Sequence, residues 1–236
     1  MSDSYLLLWL EAPLQSWGYD SKFGRRDSLN FPTKSGVMGL LCCALGASGK
    51  QTEFLAQWAD ADMSVEAYVL KDSNGHATLR QPLLMDFQMV GSGYDDNDPW
   101  QSLLIPKTSD GKKAVGGGTK MTYRYYLQDM AFAVVLQGNA DELKVLQDAL
   151  LNPVWDLYLG RKNCVPTDFI ARDMYQSLEE AFEAARSIAK TKNLISSFKV
   201  LQGEHEGDVL TLNDVPVQFG EHKLYRDRQV TVISRE

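Results

Sequence analysis

The stretch from Phe31 to Gly46, FPTKSGVMGLLCCALG, constrains the chain most. From Gly36 to Gly46 every residue is apolar, a glycine or a cysteine, and free cysteine packs as a small hydrophobe. A segment with no polar stripe reads as a helix, over about 34–46, that other elements must enclose. Its entrance is polar, because Thr33, Lys34 and Ser35 follow Pro32. Thr33 or Ser35 can cap the helix by accepting from an orphan backbone N–H. Lys34 opposes the helix dipole, at a cost of about 0.3–1 kcal/mol. An anion held among the free N–H groups would offset that cost. Both readings of the entrance stand at this point.

The elements around this helix follow from periodicity. YLLLWLEA (5–12) reads as a buried strand, and residues 13–34 as a polar loop. TEFLAQWAD (52–60) has Phe54, Leu55 and Trp58 on one helical face. MSVEAYVLKDSNGHATLR alternates, and its Asn74-Gly75 predicts a hairpin. Residues 91–122 break the pattern with many glycines and prolines, so they read as an excursion, a partly ordered hairpin. Strand character resumes in TYRYYLQDMAFAVVLQG. Asn139 with Glu142, and Ser177 with Glu180, predict two capped helices. The tail from 197 to 233 alternates like short strands. The order predicts one α+β domain over 1–236, ferredoxin-like, with helices on one face of an antiparallel sheet. Its C-terminal region, about 191–236, is β-rich.

The 236 residues carry a net charge of −7, which excludes a molecule coated in basic patches but not a local one. Between 105 and 126 the local charge is +4, from Lys107, Lys112, Lys113, Lys120 and Arg124 against Asp110. Lys22, Arg25, Arg26 and Lys34 make a second basic stretch. No apolar run approaches the ~20 residues of a membrane span, and LLLWL reads as a strand rather than a signal peptide. The three cysteines have no C-x-x-C spacing and are expected to be reduced core residues of a cytoplasmic protein.

Catalytic signatures are missing. GASGKQT (46–52) lacks the first glycine and the hydroxyl residue of a phosphate loop. His76, His205 and His222 lie far apart in sequence and from the cysteines, so no metal or cofactor is expected. One further segment, WDLYLGRKNC (155–164), sets Gly160 beside Tyr158, Arg161 and Lys162. Glycine lets backbone N–H groups approach a phosphate, and tyrosine can stack on a base. The same segment also reads as an ordinary exposed turn.

Four motifs in order, LQSWG (14–18), FPTKSGVMGLL (31–41), TYRYYL (122–127) and YLGRKNC (158–164), resemble the CasD subunits of type I-E CRISPR Cascade complexes. That resemblance implies a RAMP protein, a ferredoxin-like (RRM-like) domain with a protruding β-hairpin thumb, here about 91–122. It implies a non-catalytic subunit that holds the 5′ handle of the crRNA and caps the complex. Its partners would be a CasC-like backbone subunit and a CasA-like large subunit, with target DNA met only through the complex. By the same resemblance Lys34, Ser35 and Gly36 contact RNA at the helix mouth. Lys120 and Arg124 do so on the strand after the thumb, and Tyr158, Gly160, Arg161 and Lys162 in the glycine loop. Arg25 and Arg26 join them from a loop without a motif match. The alternative is a metal-independent endoribonuclease, as in the type I-C relative, which uses a Tyr, a Lys and a His. Such cleavage needs a base for the 2′-OH proton, and no histidine falls in the basic segments.

Overall fold

The computed structural model describes residues 4–19, 21, 24–90, 95, 97–103, 107–112 and 120–234. Within the predicted excursion, residues 91–94, 96, 104–106 and 113–119 therefore lie outside the described residues. The first strand, β1 (Ser4–Gln15), is followed by the two-residue β2 (Arg25–Arg26) and the helices α1 (Lys34–Ala44) and α2 (Thr52–Trp58). Next come β3 (Met63–Leu70), β4 (Leu84–Val90), the short α3 (Pro99–Leu103) and the long β5 (Lys120–Gly138). Then follow α4 (Ala140–Leu151), β6 (Ala171–Tyr175), α5 (Leu178–Thr191), β7 (Leu194–Gln202), β8 (Asp208–Gln218) and β9 (Leu224–Ser234).

The main sheet has the order β6-β1-β5-β3-β7-β9-β8, with antiparallel neighbours throughout. Its inner strands are apolar on both faces, the pattern of a sheet covered on both sides. Leu6, Leu8 and Leu10 of β1 join the larger core with Val37 and Leu41 of α1, Trp58 of α2 and Leu143 of α4. Leu7 and Trp9 face the other way and pack with Phe182 and Ala185 of α5. The expectation of helices on one face is thus corrected: α1, α2 and α4 cover one side and α5 the other. The reason is the unbroken run Leu6–Leu10, which leaves no face of β1 for water.

Two local expectations also change. Asn74-Gly75 makes a tight turn, with Gly75 at φ 83° and Asp72 Oδ1 accepting from the backbone N–H of Asn74 and His76. The chain leaving it returns along the end of β3 only briefly, through the Lys71↔Ala77 bridge and Thr78 N donating to Leu70 O at 2.9 Å. It forms β4, which pairs with the first half of β5 from Leu84↔Tyr126 to Val90↔Lys120. This paired ribbon occupies Leu84–Val90, just ahead of the segment 91–122. β5 pairs with β4 up to Tyr126 and with β1 from Leu127 on, and Asp129, inside the β1 pairing, has φ 49°. At α4, Asn139 Oδ1 accepts from Asp141 N at 2.9 Å, one residue earlier than the predicted capping box. Ser177 caps α5 as expected, accepting from Glu180 N at 3.2 Å.

Candidate nucleic-acid interface

The LQSWG motif closes the join between the two halves of β5. Gln15 is buried and its Nε2 donates to Leu10 O and Met130 O, while its Oε1 accepts from Trp17 Nε1. Ser16 Oγ donates to Tyr125 O. The glycine loop is pinned to this motif, because Ser16 N donates to Leu159 O at 3.1 Å. Gly160 adopts φ +93°, and a Cβ there would lie 1.6 Å from Ser16 O, so only glycine fits. Leu159 N donates to Cys164 O and Cys164 N to Arg161 O, which closes the loop on itself.

These contacts place the glycine loop opposite the mouth of α1. A cavity of about 390 Å³ opens between them, lined by Gly18, Ser35, Gly36, Tyr158, Gly160 and Tyr225, among others. That volume lies in the roughly 300–1,000 Å³ range of small-ligand sites. A larger hollow of about 830 Å³ adjoins it and shares Gly39, Cys43, Tyr158 and Phe219; Lys162 and Trp155 line its far side. Gly39 has open space where a Cβ would point, so α1 offers a bare backbone floor.

Of the predicted residues, Ser35, Gly36, Tyr158 and Gly160 line the cavity and Lys162 the adjoining hollow. Thr33 is the N-cap, accepting from Gly36 N at 3.1 Å. Arg25, Arg26, Lys120 and Arg124 form a second group on the ribbon. β2 pairs in parallel with β5, placing Arg26 beside Arg124 and Arg25 beside Tyr123. Alternation then sorts the ribbon. Lys120, Thr122 and Arg124 share one face with Asp86 and Gln88. Exposed Met85, Phe87, Met89 and Met121 share the other with Tyr123 and Tyr125. The Arg25 guanidinium sits 5.1 Å from the Tyr125 ring and also pairs with Asp27, which raises its pKa.

Two predicted contacts are corrected. Lys34 is 1% exposed, and its Nζ donates to Ala59 O at 2.9 Å and Ala61 O at 2.5 Å. Its ammonium points into the protein, not toward a ligand. The anion at the helix mouth comes from the chain itself: Asp214 Oδ2 accepts from Lys34 N at 2.7 Å. Arg228 holds Asp214 through two further bonds, Nε at 2.7 Å and Nη2 at 2.9 Å. Arg161 is likewise engaged within the protein. Its Nη1 donates to Tyr125 O and its Nη2 to Arg26 O, over the Tyr126 ring at 4.6 Å. It joins the glycine loop to the ribbon, so its part is to fix the two groups of cations relative to each other.

Burial, with the nearby Arg228 charge, pushes the Lys34 amine down to about 8, against the pull of Asp214, Asp62 and Asp60. A lysine depressed in the fold binds its proton less tightly there than when unfolded. The folded state therefore gains stability from this group as pH rises from about 8 towards the unfolded value near 10.4. Denaturant titrations of the protein and of Lys34→Met should show the gap between them widening in favour of the lysine form over that window. A gap independent of pH would mean the amine is not desolvated.

Sequence reasoning missed Asp214, Arg228, Phe219, Lys223 and Tyr225. All lie in the alternating tail, where alternation signals a strand but not which loop the strand reaches. GASGKQT, rejected as a phosphate loop, is the docking point of that tail: Phe219 N donates to Lys50 O at 2.9 Å. Among the described residues no group of three His, Cys, Asp or Glu side chains could hold a metal.

The family described as CRISPR-associated protein (Cas_Cas5) matches residues 5–231, and the protein belongs to it. It is similar to the CRISPR system Cascade subunit CasD of Escherichia coli (strain K12), 31% identical over 165 residues. That match spans 68% of this chain and 66% of the relative, just under two thirds of its length. Among solved structures, a chain of a CRISPR RNA-guided surveillance complex matches with a TM-score of 0.69 at 26% identity. That match covers 98% of this chain and 90% of the other. A crystal structure of a Cas protein matches with a TM-score of 0.61 at 27% identity, covering 98% and 94%.

Proposed function

We propose that the protein is a non-catalytic, RNA-binding subunit of a CRISPR Cascade complex that holds the 5′ handle of the crRNA in the cleft between α1 and the glycine loop. The observation that carries this is the 390 Å³ cavity itself. It joins a bare helix mouth, a glycine that admits no side chain and an exposed tyrosine edge, within a chain of a CRISPR family. Such a site suits a sugar-phosphate backbone and an unstacked base better than a small apolar ligand.

The core supports a ferredoxin-like reading, because β1, α1, β3, β5, α4 and β6 follow a β-α-β-β-α-β order. The β4–β5 ribbon then serves as the thumb. Its polar face, with Lys120, Arg124 and Arg26, suits RNA. Its methionine and aromatic face suits the CasC-like backbone subunit, since Met-rich surfaces adapt to partners. A CasA-like large subunit completes the assembly, through which target DNA is met, in the cytoplasm. Arginine cannot be deprotonated in proteins, so Arg124 can hold a phosphate but cannot serve as a base.

One observation favours the endoribonuclease reading. His222 is exposed in the same hairpin end as Lys223 and Tyr225, which line the cavity. A histidine thus stands closer to the cleft than its sequence position implied. Electrophoresis with labelled repeat RNA separates the two readings. A shifted, intact RNA over hours, with or without Mg²⁺, is expected. Specific cuts that disappear in His222→Ala would replace the binding reading with the endoribonuclease.

A further inference from the structure

The cleft has a third wall that neither the motifs nor the family match assigns. It is the turn between β8 and β9, residues 219–223, with the first residues of β9. Phe219, Lys223 and Tyr225 all line the 390 Å³ cavity, across from Tyr158 and Gly160.

This wall is held at both ends of α1. At the N-terminal end, Asp214 of β8 accepts from Lys34 N and is clasped by Arg228 of β9. Beyond the C-terminal end, Phe219 N donates to Lys50 O, and Gly220 lies against Gly49, where a Cβ would meet the Gly49 carbonyl carbon at 3.5 Å. Between these ties the hairpin runs beside Gly36 and Gly39, of which Gly39 has open space where a Cβ would point. Its side chains towards the cavity are a cation and two aromatic rings. Tyr225 lines the cavity and keeps 37% of its surface exposed, while burial of the rest raises its hydroxyl pKa. Lys223 is exposed.

We infer that the β8–β9 hairpin is part of the RNA site, with Lys223 meeting a backbone phosphate and Tyr225 stacking on an unpaired base that enters between it and the glycine loop. Cation and ring on one rigid hairpin form the combination that single-stranded nucleic acid takes. The inference rests on the RNA-binding reading above, and it adds a contact that the motif residues alone do not supply.

The test uses the full chain and labelled single-stranded repeat RNA, titrated at several salt concentrations. Lys223→Ala is expected to weaken binding several-fold and to reduce the salt slope by about 0.7, the value of one single-strand phosphate contact. Tyr225→Ala is expected to weaken binding by about five-fold or more, in the range of one lost stack, and Tyr225→Phe to restore it, because the ring and not the hydroxyl does the stacking. Lys190→Ala, on α5 across the sheet, removes the same charge and should leave affinity and slope as they were. Wild-type affinity and slope in Lys223→Ala and Tyr225→Ala, with RNA still bound, would overturn the hairpin contact and leave the binding reading intact. No binding by the unaltered protein would overturn both.

Discussion

Alanine in place of Gly160 is expected to abolish tight RNA binding and to destabilise the fold. The backbone there has φ +93°, and the new Cβ would fall 1.6 Å from Ser16 O. Strain of this kind costs about 1–3 kcal/mol before any clash is counted. The clash is with backbone, so the loop itself must move. That movement breaks the bond from Ser16 N to Leu159 O and shifts Tyr158, which shapes both hollows. Gly75 supplies the control. Its φ is +83°, but nothing lies within 4 Å of where its Cβ would point. Gly75→Ala should therefore lower stability by only about 1 kcal/mol and leave RNA affinity unchanged. Equal loss of affinity in both variants would mean that affinity merely follows stability.

Removing Asp214 should have the largest effect on stability. Asp214 is 1% exposed and accepts from Lys34 N and from Nε and Nη2 of Arg228. Asp214→Ala leaves a buried guanidinium without its counter-charge, a change that costs about 3–5 kcal/mol. For a chain of this size the melting temperature should fall by on the order of 10 °C. Asp214→Asn keeps an acceptor for Lys34 N and should lose less. The same substitutions release the hairpin from the mouth of α1, so RNA affinity should fall even at temperatures where the protein stays folded. An Asp214→Ala protein with near-normal melting would show that water or a shifted side chain replaces the carboxylate.

The sequence carried local information well and long-range information poorly, for physical reasons visible at particular residues. Thr33 as a cap and α1 as a buried helix are properties of a few adjacent positions, whereas Gly160 admits no side chain because of Ser16 O, 144 residues away. Lys34 is the contrast. Its cationic character was plain, but its partners are carbonyls 25 and 27 residues away and a carboxylate 180 residues away. A lysine facing RNA and a lysine buried under Asp214 look alike until the tail is folded over the helix. Arg161 was read as a phosphate ligand for the same reason, since nothing in YLGRKNC says that Tyr125 and Arg26 present carbonyls to it. The Asn74-Gly75 turn formed, yet pairing of β4 with β5 was decided by the length of β5, which no local signal announces. The signal for a double-sided sheet stood in YLLLWL, where Leu7 and Trp9 alternate with Leu6, Leu8 and Leu10, although the order of elements had suggested helices on one face only.

The cleft as an RNA site is tested most directly by photo-crosslinking. Repeat RNA carrying 4-thiouridine at single positions of its 5′ handle is bound to the full chain, irradiated and digested, and the attached peptides are identified. Crosslinks to the peptides that contain Tyr158 and Tyr225, reduced in Gly160→Ala, are the predicted result. Crosslinks confined to other surfaces, such as α5 or the outer face of α4, would contradict the account.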